Sequence, residues 1–554
     1  MGARLLVIGL DGATFDLVAP WAASGELPTL ARLMAAGTWG ALRSTLPPAT
    51  FPAWTSLVTG VNPGRHGVLD FVERVPGTLR LRFVNGSHRR TPALWTRLSA
   101  TGRRVAVLSV PATYPPEAVN GVMVSGFDSP VTTGVDGSFV FPRAFHAEMR
   151  GLIGRLPFAD FQEVRTGPRW HDRALASLLD GVARRATLAE ALLRREPWNA
   201  LMVVFGESDT VAHHFWRFHD PASPRHVPSP HADAVLRVYR ALDAAIARLV
   251  AAAGDACVAV VSDHGSGGAS DRVVHLNRYL AQRGFLALRP RGGTATRAAR
   301  RLALRAVPVR LQGMLVRRAP AVAGRLEGGA RFGGIDWSRT RAYSEELDYH
   351  PSVWINAAGR EPEGVVRETD YERTRAEAAD ALAAWRDDDG RPVVERVWRR
   401  EDLYHGPATV LAPDLLLELA APGGYSPSCL RSAGAGPALR RLVPAEYGAG
   451  KGSGLNGAHR RDGMFLFAGP GVPAGGAVPP AEITDVLPTL LALVGVPVPL
   501  GLDGAPMASV VGGSACWEPD PLPEKRRPPR AYGEAESREI AARLESLGYL
   551  EQRP

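Results

Sequence analysis

The sequence has few cysteines and lacks both a long apolar run and a leader-like N-terminus. Its three cysteines, Cys257, Cys429 and Cys516, lie far apart, which excludes a disulfide framework and a cysteine-based zinc site. No apolar stretch reaches the ~18 residues of a transmembrane helix. The N-terminus enters a strand at once, without the apolar region of a signal peptide. We therefore expect a cytoplasmic protein with no transmembrane segment.

Basic clusters interleaved with aromatic residues are also missing, so the sequence offers no groove for a nucleic acid. The net charge of +9 at pH 7 is mild when it is spread over 554 residues, and it is compatible with an anionic substrate or surface. With 45% hydrophobic and 22% charged residues, the composition is that of an ordinary globular protein.

Short apolar strands alternate with helices along the chain. Strands are predicted at 4–10, 104–110, 121–126, 200–206 and 258–261, and helices at 27–37, 172–196 and 232–253. This alternation predicts an α/β fold with a mostly parallel, doubly wound sheet and helices on both faces. Later strands are expected at 352–356, 414–419 and 463–468, and a late helix at 483–496.

Two stretches of different composition interrupt this pattern. The predicted division is a catalytic core at 1–285 and 335–505, a basic insert or cap at 286–334, and a Pro-rich linker with a terminal helix at 506–554. The insert contains a basic amphipathic stretch at 300–318. This stretch is either a solvated helix face packed on the core or a weak contact with a membrane surface.

Acidic and imidazole side chains stand where predicted strands end. Asp11 follows the first strand in GLDG, and Asp263 and His264 follow another strand in SDHG. An α/β protein presents its chemistry at the carboxyl ends of its strands. Each of these residues alone could equally cap a helix or a turn, and GLDG does not match a dinucleotide-binding fingerprint.

Two further segments carry candidate metal ligands. In VVFGESDTVAHHFW, a strand passes into a helix and places Asp209 and His213 four residues apart on one helix face. This spacing suits two ligands of one ion, although a capping Asp with surface histidines is the alternative. His459 lies on a Gly-rich loop before the strand expected at 463–468, where a plain surface histidine is again the alternative.

Thr50 is the candidate nucleophile. Pro52 favours the first turn of a helix through AWTSLVTG. Thr50 then lies at the helix N-terminus, where free N–H groups and the helix dipole favour an anion. A role as the N-cap is the alternative, and it is compatible with a hydroxyl that faces a phosphate.

Together these positions supply three carboxylates, three imidazoles and one hydroxyl: Asp11, Asp209, Asp263, His213, His264, His459 and Thr50. This set of oxygen and nitrogen ligands suits two Zn²⁺ ions, with Mn²⁺ as the alternative. Two ions about 3.5–4 Å apart can clamp the attacking and leaving oxygens of phosphoryl transfer. The residues therefore suit a metal-dependent enzyme that carries out phosphoryl transfer.

The order of these motifs resembles the alkaline phosphatase superfamily, and most closely its type I phosphodiesterase/nucleotide pyrophosphatase branch. The resemblance rests on the strand-end Asp11, TFP followed by VTG-x-x-P-x-x-HG, D-x-x-x-H, SDHG, and G-x-H before DGMFLFAGPG. ITDVLPTLLALVGVPVP followed by LDG is similar to the closing signature of the superfamily. The resemblance covers 4–290 and 335–505.

The resemblance implies an alkaline-phosphatase-like fold and a division of the ligands between two metal ions. One ion would be held by Asp209, His213 and His459. The other would be held by Asp11, Asp263, His264 and the oxygen of Thr50. The Thr50 hydroxyl would attack phosphorus and form a phosphothreonine intermediate, which water then hydrolyses.

One position departs from the pattern of that branch. Its diesterases carry an Asn that holds a phosphate oxygen, and Phe71 occupies the corresponding position here. The N–H of Phe51, the side chain of Asn85 or an arginine of the insert could supply the contact, and Arg65 could add a positive charge. Sulfatases share the fold but need Cys or Ser where this chain has Thr50, so a sulfatase is disfavoured.

We therefore predict a phosphodiesterase or nucleotide pyrophosphatase that acts on a nucleotide-like or other small organic substrate. A phosphomonoesterase or phosphotransferase on the same scaffold is the first alternative. A non-catalytic membrane-surface module, anchored through 300–318, is an alternative of another class. The complete set of ligands argues against that last alternative.

Overall fold

The computed structural model describes residues 5–75, 77–129, 137–154, 169–289, 332, 334–346, 351–432, 436–447, 455–513, 515–524 and 529–547. The basic stretch 300–318 and nearly all of the predicted insert lie outside the described residues. Among the helices described here, none combines the length and the hydropathy of a membrane-spanning segment.

Helices make up much of the described chain. The α-helices are Phe15–Ala23, Pro28–Ala36, Thr50–Thr59, Pro63–His66, Leu94–Ala100, Phe145–Ile153, Trp170–Arg195, Glu207–His219, Ala234–Ala253, Leu276–Gln282, Glu368–Ala383, Arg400–Leu403, Val486–Leu493, Ala508–Val511 and Glu534–Leu547. Short 3₁₀ turns are Gly86–His88, Trp337–Arg339, Thr409–Leu411, Pro422–Gly424, Pro444–Glu446 and Ile483–Asp485.

A central sheet organises the molecule, and the described residues contribute ten strands to it. In chain order these are β1 Leu5–Leu10, β2 Thr38–Arg43, β3 Val105–Leu108, β4 Gly121–Val124, β5 Val140–Phe141, β6 Ala200–Phe205, β7 Cys257–Val261, β8 Asp462–Ala468, β9 Gly476–Ala477 and β10 Ala481–Glu482.

The spatial order of the central sheet is β9-β2-β8-β7-β1-β6-β3-β4-β5, with β10 also paired to β2. Strand β1 lies parallel to both β6 and β7, and β3 lies parallel to both β6 and β4. Strand β8 runs antiparallel to its neighbours β2 and β7. The prediction of a mostly parallel α/β sheet is therefore confirmed.

Strand β1 shows why the sheet needs helices on both faces. All six of its residues are buried, as in a strand covered on each side. Leu6 and Ile8 face a core built with the long helices Trp170–Arg195 and Ala234–Ala253. Val7 faces the opposite core, which includes side chains of Thr50–Thr59 and Val486–Leu493.

A second, smaller sheet stands apart from the central one. Its antiparallel order is Ala342–Tyr343, Ser352–Ile355, Leu415–Leu419 and Val394–Arg399. It has a hydrophobic core of its own, to which the helix Glu368–Ala383 contributes Leu382. The strands expected at 352–356 and 414–419 therefore form, but they do not join the central sheet.

The remaining strands form small pairings. They are Val72–Arg74 with Leu81–Phe83, Gly265–Val274 with Ser426–Cys429, Leu439–Arg441 and Gly457–Arg460, and Val498–Pro499 with Trp517–Glu518. The late helix differs from its expected bounds, because a 3₁₀ turn at Ile483–Asp485 precedes the α-helix Val486–Leu493.

Candidate active site

Three adjacent strands of the central sheet, β7, β1 and β6, deliver acidic side chains to one edge. Asp11 follows β1 directly, and Asp263 lies two residues beyond β7. Asp209 lies in the first turn of the helix Glu207–His219, just after β6. Because these strands are parallel, their carboxyl ends meet at the same edge, which is where α/β proteins bind ligands.

Two groups of side chains at this edge could each hold a metal ion. The two-histidine cluster consists of Asp209, His213 and His459, and the two-carboxylate cluster consists of Asp11, Asp263 and His264. Within each cluster, one ligand atom from every residue lies within 4.8 Å of the others. The structure thus brings together six of the seven predicted ligands, all except Thr50, in the two predicted groups.

In the two-histidine cluster, both imidazoles turn their Nε2 atoms inwards. His213 Nδ1 donates to the carbonyl of Gly457 at 3.1 Å, and His459 Nδ1 donates to the carbonyl of Pro48 at 2.7 Å. A carbonyl oxygen only accepts, so Nδ1 carries the proton and Nε2 presents a lone pair. The two Nε2 atoms are 2.9 Å apart.

Two lone pairs at that distance repel each other unless a positive charge lies between them. The carboxylate of Asp209 completes the group, with Oδ2 at 3.2 Å from His213 Nε2 and Oδ1 at 3.4 Å from His459 Nε2. One carboxylate and two neutral imidazoles form a donor set that suits Zn²⁺. The residues therefore fit a divalent metal ion.

The two-carboxylate cluster is buried, with Asp11 2% exposed and Asp263 and His264 fully enclosed. One oxygen of each carboxylate is satisfied: Trp54 Nε1 donates to Asp11 Oδ2 at 3.0 Å, and the N–H of Gly12 donates to Asp263 Oδ1 at 3.2 Å. Within the described chain, Asp11 Oδ1 and Asp263 Oδ2 accept no hydrogen bond. Buried carboxylate oxygens without a hydrogen-bond donor are unfavourable unless a cation binds them.

The imidazole of His264 points at the same place. Its Nδ1 donates to the carbonyl of Gly265 at 3.1 Å, which leaves the Nε2 lone pair 3.6 Å from Asp11 Oδ1 and 3.3 Å from Asp263 Oδ2. Burial, and then the neighbouring His459, hold the pKa of His264 well below its usual range. A neutral imidazole is the form that ligates metals.

Electrostatics of the two carboxylates point the same way. Burial is the largest cause that raises the pKa of both Asp11 and Asp263 well above the usual range, and repulsion from nearby carboxylates adds to it. Two ionised acids in an enclosed space need a compensating charge. This second donor set is richer in oxygen than the first and also fits a divalent ion.

Thr50 lies beside the two-carboxylate cluster. It is the first residue of the helix Thr50–Thr59, and the N-cap position falls on Ala49. Its Oγ1 lies 3.4 Å from His264 Nε2, and the residue is fully buried. The hydroxyl and the dipole of a ten-residue helix thus converge on the cluster.

The two clusters touch each other through their imidazoles. The rings of His264 and His459 stack with centroids 3.7 Å apart. His459 reaches this position from the strand Gly457–Arg460, which pairs with Gly265–Val274 so that His459 lies opposite Ser266. A residue distant in sequence is thereby brought next to the SDHG loop.

Several residues that sequence reasoning did not identify hold the ligands in place. Gly12 has φ +65°, and a Cβ there would lie 2.8 Å from Ser266 Oγ and 2.9 Å from Asp209 Oδ1. Ser266 Oγ donates to the carbonyl of Gly12 at 2.7 Å, which ties two ligand loops together. Trp54 lies one helical turn beyond Thr50 and hydrogen-bonds Asp11, and this i, i+4 spacing was the available signal.

The three predicted substrate contacts lie in different settings. Phe51 follows Thr50 but is only 1% exposed. The side chain of Asn85 donates to the carbonyl of Arg530 at 2.8 Å and accepts from Ser87. Arg65 is held by Asp503 at 2.7 Å and by the carbonyl of Gly501. The structure does not join Asn85 or Arg65 to either cluster, and their substrate roles stay predictions.

A pocket of about 220 Å³ borders the two-histidine cluster. His213 and His459 line it, together with apolar side chains that include Pro47, Leu417 and Leu455. The second sheet contributes Leu417, so the pocket lies beside that sheet. Arg461 also lines the pocket, which the sequence reasoning missed although this residue lies two positions from His459.

Comparisons with known proteins identify the family of the chain. The model of the family "Type I phosphodiesterase / nucleotide pyrophosphatase" matches residues 5–433. No curated protein matches the chain by sequence. The match ends before His459, so one ligand of the two-histidine cluster comes from beyond it.

Solved structures resemble the chain at low identity. Phosphonoacetate hydrolase from Sinorhizobium meliloti 1021, in complex with phosphonoformate, is 15% identical with a TM-score of 0.52, and the alignment covers 89% of this chain and 95% of that one. Human ectonucleotide pyrophosphatase/phosphodiesterase 5 is 13% identical with a TM-score of 0.48, and the alignment covers 91% of this chain and 97% of that one. An inactive form of the murine ectonucleotide pyrophosphatase/phosphodiesterase 5, in complex with AMP, is 14% identical with a TM-score of 0.47. The alignment again covers 91% of this chain and 97% of that one. The likeness to the first structure supports the fold.

Proposed function

Because the chain belongs to the type I phosphodiesterase/nucleotide pyrophosphatase family over residues 5–433, we propose that it is a phosphodiesterase with Thr50 as its nucleophile and two divalent metal ions, most suitably Zn²⁺. Membership makes the protein an enzyme that acts on phosphoric ester bonds. The nucleophile, the number of ions and the substrate are parts of the proposal.

One observation carries the proposal. The Thr50 hydroxyl lies 3.4 Å from the inward-facing Nε2 of His264, next to two buried carboxylate oxygens without hydrogen bonds among the described residues. A structural threonine has no need for such surroundings, whereas a nucleophilic one needs a nearby positive charge to ionise at neutral pH. Bound divalent ions supply that charge, and they also stabilise the oxygens of a phosphoryl group in the transition state.

The residues of the chain then have separate roles. Asp209, His213 and His459 would hold one ion, and Asp11, Asp263 and His264 would hold the other. The Thr50 oxygen attacks phosphorus, its proton passes to solvent, and the bond from phosphorus to the leaving oxygen breaks. The phosphothreonine formed in this way is then hydrolysed by water, which restores the Thr50 hydroxyl.

Phe51 contributes through its backbone. Its N–H lies in the first turn of the helix, where such groups have no partner within the helix. This N–H is therefore available to a phosphoryl oxygen bonded to Thr50 Oγ1, in the manner of an oxyanion-binding donor. It would replace the phosphate contact that an Asn makes in the resembled diesterases, at the position that Phe71 occupies in this chain.

The pocket beside the two-histidine cluster indicates the kind of substrate. Its apolar side chains can accept the second organic group of a diester, and about 220 Å³ suits a small group. A specific observation favours a second candidate, a phosphomonoesterase: Arg461 lines the same pocket and could balance the extra negative charge of a monoester. The two candidates share the nucleophile and the metal ions.

A substrate comparison tests the proposal. We expect purified protein to hold close to two divalent ions per chain and to lose turnover on chelation. We expect kcat/KM for bis-p-nitrophenyl phosphate or thymidine 5′-p-nitrophenyl phosphate to exceed that for p-nitrophenyl phosphate. Protein without metal after growth with zinc and manganese would contradict the metal assignment.

Arg461→Ala separates the two candidates. If the enzyme is a monoesterase, this change should raise KM for p-nitrophenyl phosphate and leave the diesters unaffected. Arg460→Ala is the matched control, because Arg460 binds Asp16 and the carbonyl of Gly424 instead. If the wild-type enzyme clearly prefers the monoester and Arg461→Ala loses that preference, the enzyme is a phosphomonoesterase and the proposed diesterase function is wrong.

A further inference from the structure

The C-terminal helix Glu534–Leu547 packs against aromatic residues next to Thr50. We define the aromatic cluster as Phe51, Phe71 and Phe127. The ring of Phe51 lies 4.4 Å from Phe71 and 5.5 Å from Phe127, measured between centroids. Ile540 and Leu544 of the C-terminal helix belong to the same buried hydrophobic group.

This contact is specific to one face of the helix. Ile540 and Leu544 are four residues apart, so they lie on the same face, and they are 2% and 1% exposed. Arg538, on the same helix, is exposed. Phe51 is itself 1% exposed, so its ring is enclosed within this group.

Polar contacts fix the helix to the loop that carries Phe127. Arg543 is fully buried and donates to the carbonyls of Phe127, at 2.8 Å, and of Ser129. The hydroxyl of Tyr532 donates to the carbonyl of Asp128 at 2.8 Å. These bonds satisfy three successive carbonyls of one loop, so the position of Phe127 depends on the C-terminal segment.

A second loop is fixed in the same way. Asn85 donates from its side chain to the carbonyl of Arg530 at 2.8 Å, and the N–H of Arg530 donates to Ser87 Oγ at 2.8 Å. Such reciprocal bonds are typical of a segment that packs at a defined position on the rest of the protein. The family match ends at residue 433, so this segment lies beyond it.

From these contacts we infer that the C-terminal helix positions the nucleophile: Ile540, Leu544 and Arg543 hold the aromatic cluster, and the cluster fixes Phe51 and, through it, Thr50. The inference rests on the proposed function of Thr50. Thr50 and Phe51 are consecutive in the first turn of one helix, so a shift of the Phe51 ring moves both the Thr50 oxygen and the Phe51 N–H. None of the three helix residues belongs to either cluster or lines the pocket, so each is a positioning residue.

A positioning role predicts a characteristic kinetic change. Misplacement of an attacking atom by a fraction of an ångström lowers the rate of the chemical step but not the binding of substrate or metal. In the full-length, metal-loaded enzyme, Leu544→Ala and Ile540→Ala should each lower kcat about tenfold or more. KM and the metal content per chain should stay near the wild-type values.

Controls separate this role from a general loss of stability. Arg538→Ala removes an exposed side chain from the same helix and should leave kcat unchanged. Leu544→Met and Ile540→Leu preserve side-chain volume and should restore most of kcat. All rates are measured well below the melting temperature of each variant.

Two kinetic outcomes would overturn the inference. If Leu544→Ala and Ile540→Ala lower the melting temperature but leave kcat unchanged, the helix has only a structural role. If either variant raises kcat/KM, the helix covers the site and restricts access to it.

Hydrogen exchange gives a readout that does not depend on turnover. In both alanine variants, the amide of Ala53, which donates to the carbonyl of Ala49 at 3.0 Å, should exchange faster than in Arg538→Ala, while the amides of the strand β1 stay protected. Unchanged exchange at this turn would overturn the inference. A wild-type enzyme that binds metal but hydrolyses no phosphoric ester would instead contradict the proposed function, and the exchange comparison would still decide the structural coupling.

Discussion

The two candidate metal-binding clusters are in contact, yet they consist of different ligand types. The two-histidine cluster has one carboxylate and borders the pocket. The two-carboxylate cluster is more deeply buried and lies beside Thr50. One cluster therefore faces the space where a substrate would enter, and the other faces the candidate nucleophile.

The environments push the acids of the two clusters in opposite directions. Burial, and then repulsion from Asp263 and Asp209, raise the pKa of Asp11 well above its usual range. Burial acts on Asp209 too, but in the absence of a metal ion the charge and hydrogen bonds of proton-bearing imidazoles, first His213 and then His459, outweigh it and hold its pKa well below the usual range. The two-carboxylate cluster thus depends more strongly on a bound cation for its charge balance.

This difference indicates a division of labour. A site with two ionised acids would balance the charge of a divalent ion, and the ion would still lie next to Thr50, where it would stabilise the ionised oxygen. A site with one acid and two imidazoles keeps a net positive charge when a divalent ion is bound, and that charge favours an anionic substrate. Variants can test whether the two clusters have these separate roles.

Loss of the nucleophile should have the largest effect. Thr50→Ala should lower kcat by about a thousandfold or more, because the attacking atom is removed, while metal content and fold remain. Thr50→Ser should retain measurable activity. Steady-state kinetics with a diester and metal analysis check both variants.

The matched control is Thr59→Ala, a buried threonine in the same helix whose hydroxyl donates to the carbonyl of Thr55. It should keep nearly the full rate. Near-normal turnover of Thr50→Ala would show that water attacks phosphorus directly, and the two-carboxylate cluster would then lose its special link to a nucleophile.

Loss of one ligand should have the next largest effect, and it should differ between the clusters. Asp209→Ala should release the ion of the two-histidine cluster, and Asp263→Ala the ion of the other, each leaving about one ion per chain. We expect kcat/KM to fall by about a hundredfold or more in both, since one of two charges is lost. Metal content is measured by elemental analysis after gel filtration.

The division of labour predicts how the loss is distributed. Asp209→Ala should act more on KM, and Asp263→Ala more on kcat. If either variant loses both ions together, the clusters form one cooperative site, and the comparison between them has no functional meaning.

Much of this arrangement could be predicted from the sequence because its signals are local. A strand that ends in Asp11, or in Asp263 and His264, places these side chains at the sheet edge whatever the rest of the chain does. The i, i+4 spacing of Asp209 and His213 likewise fixes one helix face. The alternation of strands and helices predicted the fold class for the same reason.

The remaining features arise from packing between distant segments, which no local pattern encodes. Trp54 reaches Asp11 only because its helix lies against β1, where the ring packs over Gly9. The sequence predicted a terminal helix after a linker, but not that Ile540 and Leu544 of this helix belong to the same buried group as Phe51. Such contacts depend on side-chain shape across hundreds of residues rather than on spacing along the chain.

The smallest expected effect concerns stability without metal, and it tests the electrostatic difference directly. A carboxyl whose pKa is raised by folding binds its proton more tightly in the folded state, so its ionised form lowers stability above the raised pKa. In chelated protein at pH 8, Asp11→Asn should therefore raise the melting temperature by roughly 1–3 °C. The amide oxygen can still accept the hydrogen bond from Trp54. The gain should shrink as the pH falls through the raised pKa, because the wild-type carboxyl then becomes neutral.

Asp209→Asn is the matched variant in the other cluster, and its effect should have the opposite sign. The pKa of Asp209 is lowered by folding, so its ionised form stabilises the folded state above the unfolded value of about 3.8. Removing that charge should lower the melting temperature of chelated protein at pH 8. Thermal unfolding of both variants and wild type from pH 5 to pH 8, in the presence of a chelator, provides the measurement. Shifts of the same sign for Asp11→Asn and Asp209→Asn would show that the clusters do not differ in charge balance, and the division of labour would lose its physical basis.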